Sequence, residues 1–240
     1  MTFAAATDEG THAAREAARL VVAGVEFIAD VSGALFHEAE RLLIVADLHL
    51  EKGSAFAERR VLLPPYDTAA TLARLAAATM RLAPRAIIAL GDSFHDVRAG
   101  DRMAESDRRA LADVQRGRDF IWVEGNHDPE IPAFAGGVRC ATFSLGPVTL
   151  RHEPAHGAQA EIAGHLHPVA RVVSKSGGAR RRCFASDSNR CVMPAFGAYA
   201  GGLNIRDQAF APLFPAGVTR AHVLGRSAVY RVGPANCWPD

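Results

Sequence analysis

Three short apolar runs in this 240-residue chain are each followed at once by acidic, amide or imidazole side chains. The runs are Leu42–Ala46, Ala86–Leu90 and residues 120–123. Segments with helical periodicity separate them, at residues 67–80 and 105–116. Uninterrupted apolar runs of this length are typical of strands buried on both faces. The strand–helix–strand alternation therefore predicts a parallel sheet with helices packed against it.

Shorter β-like segments lie before and after this unit, separated by glycine, proline and serine turns. Those past about Arg139 predict a second, largely antiparallel sheet. The segments are residues 21–22, 25–28, 34–36, 148–150, 169–173, 182–184 and 191–193. We therefore predict an α/β fold, a two-sheet β-sandwich flanked by helices, in a single domain over residues 1–240. Residues 1–20 are expected to form a loose N-terminal arm, and Asp67 is expected to cap the first helix.

The composition limits the classes of protein that need to be considered. The hydrophobic fraction of 49% suits a globular protein, and the formal net charge of +1 gives no global attraction to nucleic acid or membranes. The four cysteines form no C-x-x-C pair, which indicates reduced thiols. Charged residues interrupt the N-terminal region, and no apolar run approaches the roughly 20 residues that span a bilayer. We expect a soluble cytoplasmic protein with no membrane partner.

Five motifs carry the potential ligands, and three of them follow the apolar runs directly. In open α/β sheets functional groups gather at the carboxyl ends of strands, so these three motifs are expected to converge. If the chain is extended there, alternate side chains point to one side, which pairs Asp47 with His49, and the same spacing recurs in the fifth motif. The motifs are Asp47-Leu48-His49, Gly91-Asp92 with His95 and Asp96, Gly125-Asn126-His127-Asp128, Arg151-His152-Glu153 and Gly164-His165-Leu166-His167.

The side chains in these motifs favour a particular class of metal. Carboxylates, imidazoles and one amide, with no thiolate, suit Mn²⁺, Fe, Zn²⁺ or Mg²⁺ better than Cu(I) or an iron–sulfur cluster. Two cations about 3.5–4 Å apart, bridged by one carboxylate, are the arrangement expected for phosphoryl hydrolysis. The sequence therefore predicts a site for two divalent metal ions. Mn²⁺ is the ion we expect, with Fe, Zn²⁺ and Mg²⁺ as alternatives.

From residue 42 to about residue 205, the five motifs resemble those of the calcineurin-like metallophosphoesterases. The resemblance implies an α/β/β/α sandwich with Asp92 shared by the two metal ions. It also implies that His127 protonates the leaving oxygen or stabilises the transition state, with Asp128 orienting its ring. The implied ligands are Asp47, His49, Asp92 and His167 for one metal, and Asp92, Asn126, His152 and His165 for the other.

The segments around the motifs are similar to a narrower group, the bacterial metallophosphoesterases associated with DNA ligase repair operons. That branch implies a phosphodiesterase, an endonuclease or end-processing nuclease of the DNA-damage response. Its partner would be DNA, as single strands or end structures, with a DNA ligase and helicase as functional associates. His95 would contact the backbone phosphate or else orient a ligand, and both roles stay open. The segments are LHLEKGS (48–54), LPPYDT (63–68), ALGDSFHD (89–96) and PAFGAY (194–199).

Two other functions are compatible with the sequence. A small-molecule phosphoesterase acting on nucleotides or phosphomonoesters would use the same metal chemistry, and a protein-interaction module could use the scaffold without catalysis. The module ranks last because His127 and every implied ligand are present. We interpret the arginines at 180–182 as a solvated hairpin edge in preference to a phosphate contact. Likewise, Phe196 and Tyr199 are interpreted as core residues in preference to base-stacking ones.

Overall fold

The computed structural model describes residues 18–61, 63–174, 177–214 and 220–240. The expected N-terminal arm lies almost wholly outside the described residues, and the first strand already begins at Arg19. Within these ranges the chain forms two mixed β-sheets and a few helices. The predicted two-sheet α/β sandwich is therefore confirmed.

Seven strands form the first sheet and follow one another in chain order across it. The first four pair antiparallel, and the fourth to seventh pair parallel. The parallel unit predicted from the apolar runs is thus confirmed, and a short seventh strand extends it. The strands are β1 (Arg19–Val22), β2 (Val25–Ala29), β3 (Leu35–His37), β4 (Leu42–Ala46), β5 (Ala86–Leu90), β6 (Asp119–Val123) and β7 (Val138–Cys140).

Helices occupy the connections from β4 to β5 and from β5 to β6. They are α1 (Lys52–Glu58), α2 (Asp67–Leu82), α3 (Ala99–Arg102) and α4 (Glu105–Gln115). The two longer helices match the predicted ones, but the capping role expected of Asp67 is wrong. The cap is Tyr66, and the buried Asp67 carboxylate accepts a hydrogen bond from the Gly53 N–H at 2.9 Å. This carboxylate therefore joins α1 to α2, because its acceptor atoms are used between helices and not within one.

The second sheet is largely antiparallel, as predicted, although β10 pairs parallel with both of its neighbours. Its order is β15-β14-β12-β13-β10-β9-β8, with β11 paired to β12 and β16. Several of its strands lack an apolar run because they are short or begin with a charged residue, and the sequence did not predict them. The strands are β8 (Phe143–Leu145), β9 (Val148–Arg151), β10 (Glu161–Ala163), β11 (Val169–Ser174), β12 (Gly177–Ser186), β13 (Arg190–Val192), β14 (Arg220–Leu224), β15 (Val229–Val232) and β16 (Cys237–Trp238).

Strand β4 shows how the layers are held together. Leu43 and Val45 contact the cluster that includes helix residues such as Leu72, whereas Leu42 and Ile44 contact the cluster that includes residues of the second sheet. Successive side chains of a strand point to opposite faces, so an uninterrupted apolar run supplies both contacts. The carboxyl end of β4 is thereby fixed from both sides.

Two further expectations concern cysteines and membranes. All four cysteines are free thiols, as their spacing predicted. None of the helices in the described ranges is both long and apolar enough to cross a bilayer.

Candidate metal centre

Strained backbone segments follow the strands that carry the predicted ligands. Five of those ligands have a positive φ, a conformation that residues other than glycine rarely adopt. They are Asp47, His49, Asp92, His165 and His167, with φ between 44° and 69°. The extended geometry assumed from the sequence is therefore wrong, and left-handed turns bring these side chains together. Such strain is typical of functional sites, where the surrounding structure enforces it.

Hydrogen bonds between the turns after β4 and β5 fix this backbone. The His49 N–H donates to the Asp92 carbonyl oxygen at 2.9 Å, and the His95 N–H donates to the Leu50 carbonyl oxygen at 2.9 Å. Gly91, at φ 65°, is needed because a Cβ there would overlap the ring of His152. The two turns thus continue side by side beyond the ends of their strands.

The first ligand group consists of Asp47, His49 and His167. The His167 Nε2 lies 3.2 Å from Asp47 Oδ1 and 3.3 Å from His49 Nε2. Burial lowers the pKa of His49 to about 3, so this imidazole is neutral at physiological pH. A neutral imidazole and a buried carboxylate are suitable ligands for a divalent cation.

The second ligand group consists of Asp92, His152 and His165, with Asn126 beside them. The Asn126 Oδ1 lies 2.9 Å from His152 Nε2 and 3.1 Å from His165 Nδ1. The His152 Nδ1 donates to the Leu90 carbonyl oxygen at 3.0 Å, which directs Nε2 into the group.

The ionisation of His152 also fits a cation site. Burial by itself would lower the pKa of His152, but the hydrogen bond to Asp92 and the charge of Asp47 outweigh it and raise the pKa to about 9. The proton on His152 therefore offsets part of the negative charge of these carboxylates. A divalent cation would take the place of that proton, since metal binding releases protons from its ligands.

Asp92 lies between the two groups. Its Oδ1 is 3.3 Å from His152 Nε2, and its Oδ2 is 4.0 Å from His49 Nε2. Burial would raise the pKa of Asp92, but hydrogen bonds and charges from His152, His127 and His49 lower it to about 2. The carboxylate is thus ionised and directs one oxygen towards each group. This donor set, with its convergent nitrogens and oxygens, fits two divalent cations that share Asp92.

His127 and His95 form a pair of rings beside this carboxylate. The His127 N–H donates to Asp92 Oδ1 at 2.9 Å, and its ring Nε2 lies 3.9 Å from Asp92 Oδ2. The two imidazole rings are stacked, with centroids 5.4 Å apart. Neither ring belongs to a ligand group; His127 is exposed, whereas His95 is buried.

Asp128 does not orient the His127 ring as the resemblance implied. The His127 Nδ1 instead donates to the main-chain carbonyl oxygen of His95 at 2.9 Å. The Asp128 Oδ2 accepts hydrogen bonds from the N–H groups of Ser93 and Phe94, at 2.7 Å and 3.0 Å. Burial raises the pKa of Asp128 to about 7. Its role is to hold the turn after Asp92, because a fully buried carboxyl group takes the nearest main-chain donors.

The segments that flank the motifs form a support for the first ligand group. The buried Glu51 accepts a hydrogen bond from Thr68 Oγ1 at 2.9 Å, and Tyr199 donates to the Pro64 carbonyl oxygen at 2.9 Å. The Gly197 N–H donates to the carbonyl oxygen of Asp47 at 3.0 Å. The contacts of Tyr199 and Gly197 were not predicted from the sequence, because they join segments that are far apart in the chain.

The aromatic and basic segments left open by the sequence also have definite positions. Phe196 is fully buried, which confirms its assignment to the core, whereas Tyr199 is only partly buried and its assignment to the core is wrong. Arg180 pairs with Asp240 at 3.2 Å, and Arg182 donates to the Ala195 carbonyl oxygen at 2.9 Å. Both arginines lie on β12 in the hairpin with β11, as the preferred interpretation stated, but only Arg180 is exposed and Arg182 is partly buried.

Comparison with known proteins places the chain beside a nuclease of known structure. No protein-family model matches the chain, and no curated protein matches it either. Among solved structures, it is similar to the crystal structure of Pseudomonas putida nuclease MPE, with 29% sequence identity and a TM-score of 0.67. The match covers 89% of this chain and 98% of that one. The chain shares its fold with a nuclease.

Proposed function

We propose that this chain is a metal-dependent nuclease of the calcineurin-like metallophosphoesterase type. The observation that carries the proposal is the position of Asp92, between two ligand groups and beside His127. The shared fold of a nuclease over nearly the whole chain supports it. A purely structural role would not require two clusters of metal-ligating side chains on either side of one carboxylate.

The proposed ligands are those of the two groups, with Asn126 added to the second. Two bound divalent cations would neutralise negative charge on a phosphodiester and supply a nucleophilic water at neutral pH. The protein contributes the placement of the donors and a neutral His49. We propose Mn²⁺ as the physiological ion, with Fe, Zn²⁺ and Mg²⁺ as alternatives.

His127 is proposed to exchange a proton with the leaving oxygen. Its Nδ1 donates a hydrogen bond to the His95 carbonyl oxygen, so Nε2 is the nitrogen that faces the ligand groups. In its imidazolium form the ring carries a second proton on Nε2, which would pass to the departing alkoxide and leave the ring neutral. His95, stacked on the same ring, is proposed to contact the substrate phosphate.

DNA is the proposed substrate, as single strands or end structures, and repair the proposed context. The evidence for this is the similarity of the flanking segments to those of the ligase-associated branch. In the structure these segments contact one another beside the first ligand group. An endonuclease or end-processing nuclease in the cytoplasm, associated in function with a DNA ligase and helicase, follows from that resemblance.

The decisive experiment compares hydrolysis of labelled single-stranded DNA and of bis(4-nitrophenyl) phosphate in the presence of Mn²⁺. The variants are His127→Ala and, as a matched control, His37→Ala, because His37 pairs with Leu42 at the opposite end of β4 from the site. We expect wild type and control to cleave both substrates. His127→Ala should lose cleavage of DNA and keep part of its activity on the small diester, because a nitrophenolate leaves without being protonated. Cleavage of the small diester alone by the wild type would instead favour a small-molecule phosphoesterase.

A second experiment tests the shared carboxylate. We expect two Mn²⁺ ions per chain by elemental analysis and loss of both in Asp92→Asn. Replacement of His49, which belongs to one group only, should reduce the count by one. A single ion in the wild-type protein would contradict the two-metal proposal.

A further inference from the structure

Helix α1 forms a surface next to the paired rings of His95 and His127. The Phe56 ring lies 5.8 Å from the His95 ring, centroid to centroid. The Lys52 Nζ lies 6.0 Å from the centre of the Phe56 ring. Arg59 follows at the end of the helix and is exposed. We call Lys52, Phe56 and Arg59 the α1 surface.

In the part of the chain that the structure describes, neither Lys52 nor Arg59 forms an ion pair with a carboxylate. Lys52 lies over the Phe56 ring, which contacts the His95 ring, and Arg59 follows Glu58 at the C-terminal end of the same helix. Two positive charges of α1 are therefore left without a carboxylate partner among the described residues.

The neighbouring arginines behave differently. Arg98 pairs with Glu58 at 2.9 Å, and Arg102 pairs with Asp96 at 2.8 Å and with Glu58 at 3.4 Å. The Arg102 Nε also donates to Ser54 Oγ at 3.0 Å. These contacts attach α1 to the segment after His95, so the α1 surface is held in place before any ligand binds. Preorganised groups lose little entropy on binding.

The aromatic part of this surface suits an unpaired base. Phe56 is partly exposed, and the nearby Val61, whose N–H donates to the Phe56 carbonyl oxygen, is 49% exposed. Of the two aromatic candidates named from the sequence, Phe196 is fully buried and cannot stack on a base, and the Tyr199 hydroxyl is used in its bond to the Pro64 carbonyl oxygen. Bases within a duplex are already stacked, whereas bases of a single strand are free to stack on a side chain.

We infer that the α1 surface binds a single strand of nucleic acid next to the metal centre. Lys52 and Arg59 contact its phosphates, and Phe56 stacks on a base. This inference rests on the proposed nuclease function and adds the residues that hold the strand. It also accounts for nucleic-acid binding by a chain with a net charge of only +1, because two local cations replace a global field.

The test measures binding of a fluorescein-labelled oligothymidylate by anisotropy at several salt concentrations. All proteins carry His127→Ala and bound Mn²⁺, so that the strand is not cleaved. The test variants are Lys52→Gln/Arg59→Gln and Phe56→Leu. The matched control is Arg109→Gln/Arg116→Gln, which removes two exposed cations of α4 and its C-terminal end.

We expect the Lys52/Arg59 variant to lower the salt slope of binding by about 1.4, since each phosphate contact on a single strand contributes about 0.7. Phe56→Leu should weaken binding roughly 5- to 100-fold, the range for loss of one base–aromatic stack, with a smaller change in slope. The control should match the parent protein. Circular dichroism identifies any variant that fails to fold. If Phe56→Leu fails to fold, the salt slope of the Lys52→Gln/Arg59→Gln variant decides the result.

Two outcomes would overturn the inference: an unchanged salt slope in the Lys52/Arg59 variant, or no oligonucleotide binding by the parent protein. The proposed function is judged separately, by hydrolysis of bis(4-nitrophenyl) phosphate in proteins that retain His127. Failure of that hydrolysis in the wild-type protein would overturn the phosphodiesterase itself. If wild-type hydrolysis is retained while the anisotropy results are negative, only the strand-binding surface is lost.

Discussion

The Nδ1 atom of His127 lies 2.9 Å from the main-chain carbonyl oxygen of His95. A carbonyl oxygen only accepts hydrogen bonds, so Nδ1 must carry the proton. The tautomer of the neutral ring is therefore fixed, and Nε2 points towards the Asp92 carboxylate. Because the acceptor is a main-chain atom, it also fixes the position of the His127 ring relative to His95 more firmly than a flexible side chain would.

This relation predicts the behaviour of His127→Asn. The asparagine amide N–H₂ can replace Nδ1 as donor to the His95 carbonyl, but it cannot exchange a proton with a leaving oxygen. We expect kcat to fall by about 10²–10⁴-fold, with Mn²⁺ content unchanged. The measurement compares diesters with good and poor leaving groups, and the loss should be greater for the poor one. Equal losses for both would contradict a role in protonation, and His37→Asn serves as control.

A second prediction compares Gly91 with Gly117, which have a similar positive φ but different surroundings. Their φ values are 65° and 71°, yet an added Cβ at Gly91 would overlap the His152 ring, whereas at Gly117 it would meet nothing within 4 Å. Both alanine variants should lose about 1–2 kcal/mol of unfolding free energy from the positive φ. Only Gly91→Ala should also lower Mn²⁺ affinity, by roughly 10–100-fold as for displaced metal-orienting contacts.

Calorimetric titration with Mn²⁺ and urea unfolding of the two glycine variants separate these effects. If Gly117→Ala lost the same metal affinity as Gly91→Ala, general destabilisation and not the displaced imidazole would be the cause. If neither variant changed affinity, His152 would not be a ligand.

The part of the fold that can be predicted from the sequence is the set of strands that pack against helices on one face and against the second sheet on the other. Strands β4 and β5 are apolar throughout, and β6 is apolar after Asp119, because these strands are covered on both faces; this pattern can be recognised in the sequence. Strand β10 begins with the buried Glu161, which is stabilised by arginines distant in the chain, so its sequence gives no strand signal.

The candidate site shows the same division between residue type and geometry. Residue types identified Asp47, His49 and the other donors that the structure brings together. The left-handed turns that bring them together depend on contacts between segments, and extended alternation gave a wrong reason for their convergence. The acceptor for the His127 ring is a main-chain oxygen, which leaves no trace in the identity of any residue.

A third prediction concerns the buried ion pairs of Glu161. Its side chain is fully buried, 3.3 Å from Arg190 Nε and 3.3 Å from Arg151 Nε. Glu161→Gln leaves the buried Arg190 without a counter-charge, and this should lower the unfolding free energy by about 3–5 kcal/mol. Glu105→Gln, which removes the partner of the exposed Arg109, should cost less than about 1 kcal/mol. Equal midpoints of the two variants in urea would refute the expected contribution of burial.

A fourth prediction concerns pH and the bidentate pair between Asp30 and Arg81, whose N–O distances are 2.7 Å and 2.9 Å. Burial would raise the pKa of Asp30, but hydrogen bonds from Arg81 and Ser32 outweigh it and hold the pKa below its ordinary value. A lowered folded-state pKa stabilises the fold above the unfolded-state pKa, and that stabilisation is lost as the pH falls through the folded-state pKa. Asp30→Asn should therefore be less stable than wild type at pH 7.

The expected difference is about 1–3 kcal/mol, the range for hydrogen bonds to charged groups. It should be constant down to the ordinary aspartate pKa of about 3.9 and then shrink as the wild-type carboxyl is protonated. Urea unfolding of both proteins at a series of pH values measures it, with Asp113→Asn as control because the Asp113–Arg116 pair is exposed. A difference that persisted unchanged at the most acidic pH would mean that the asparagine alters packing, since the lost charge interaction is absent from both proteins there.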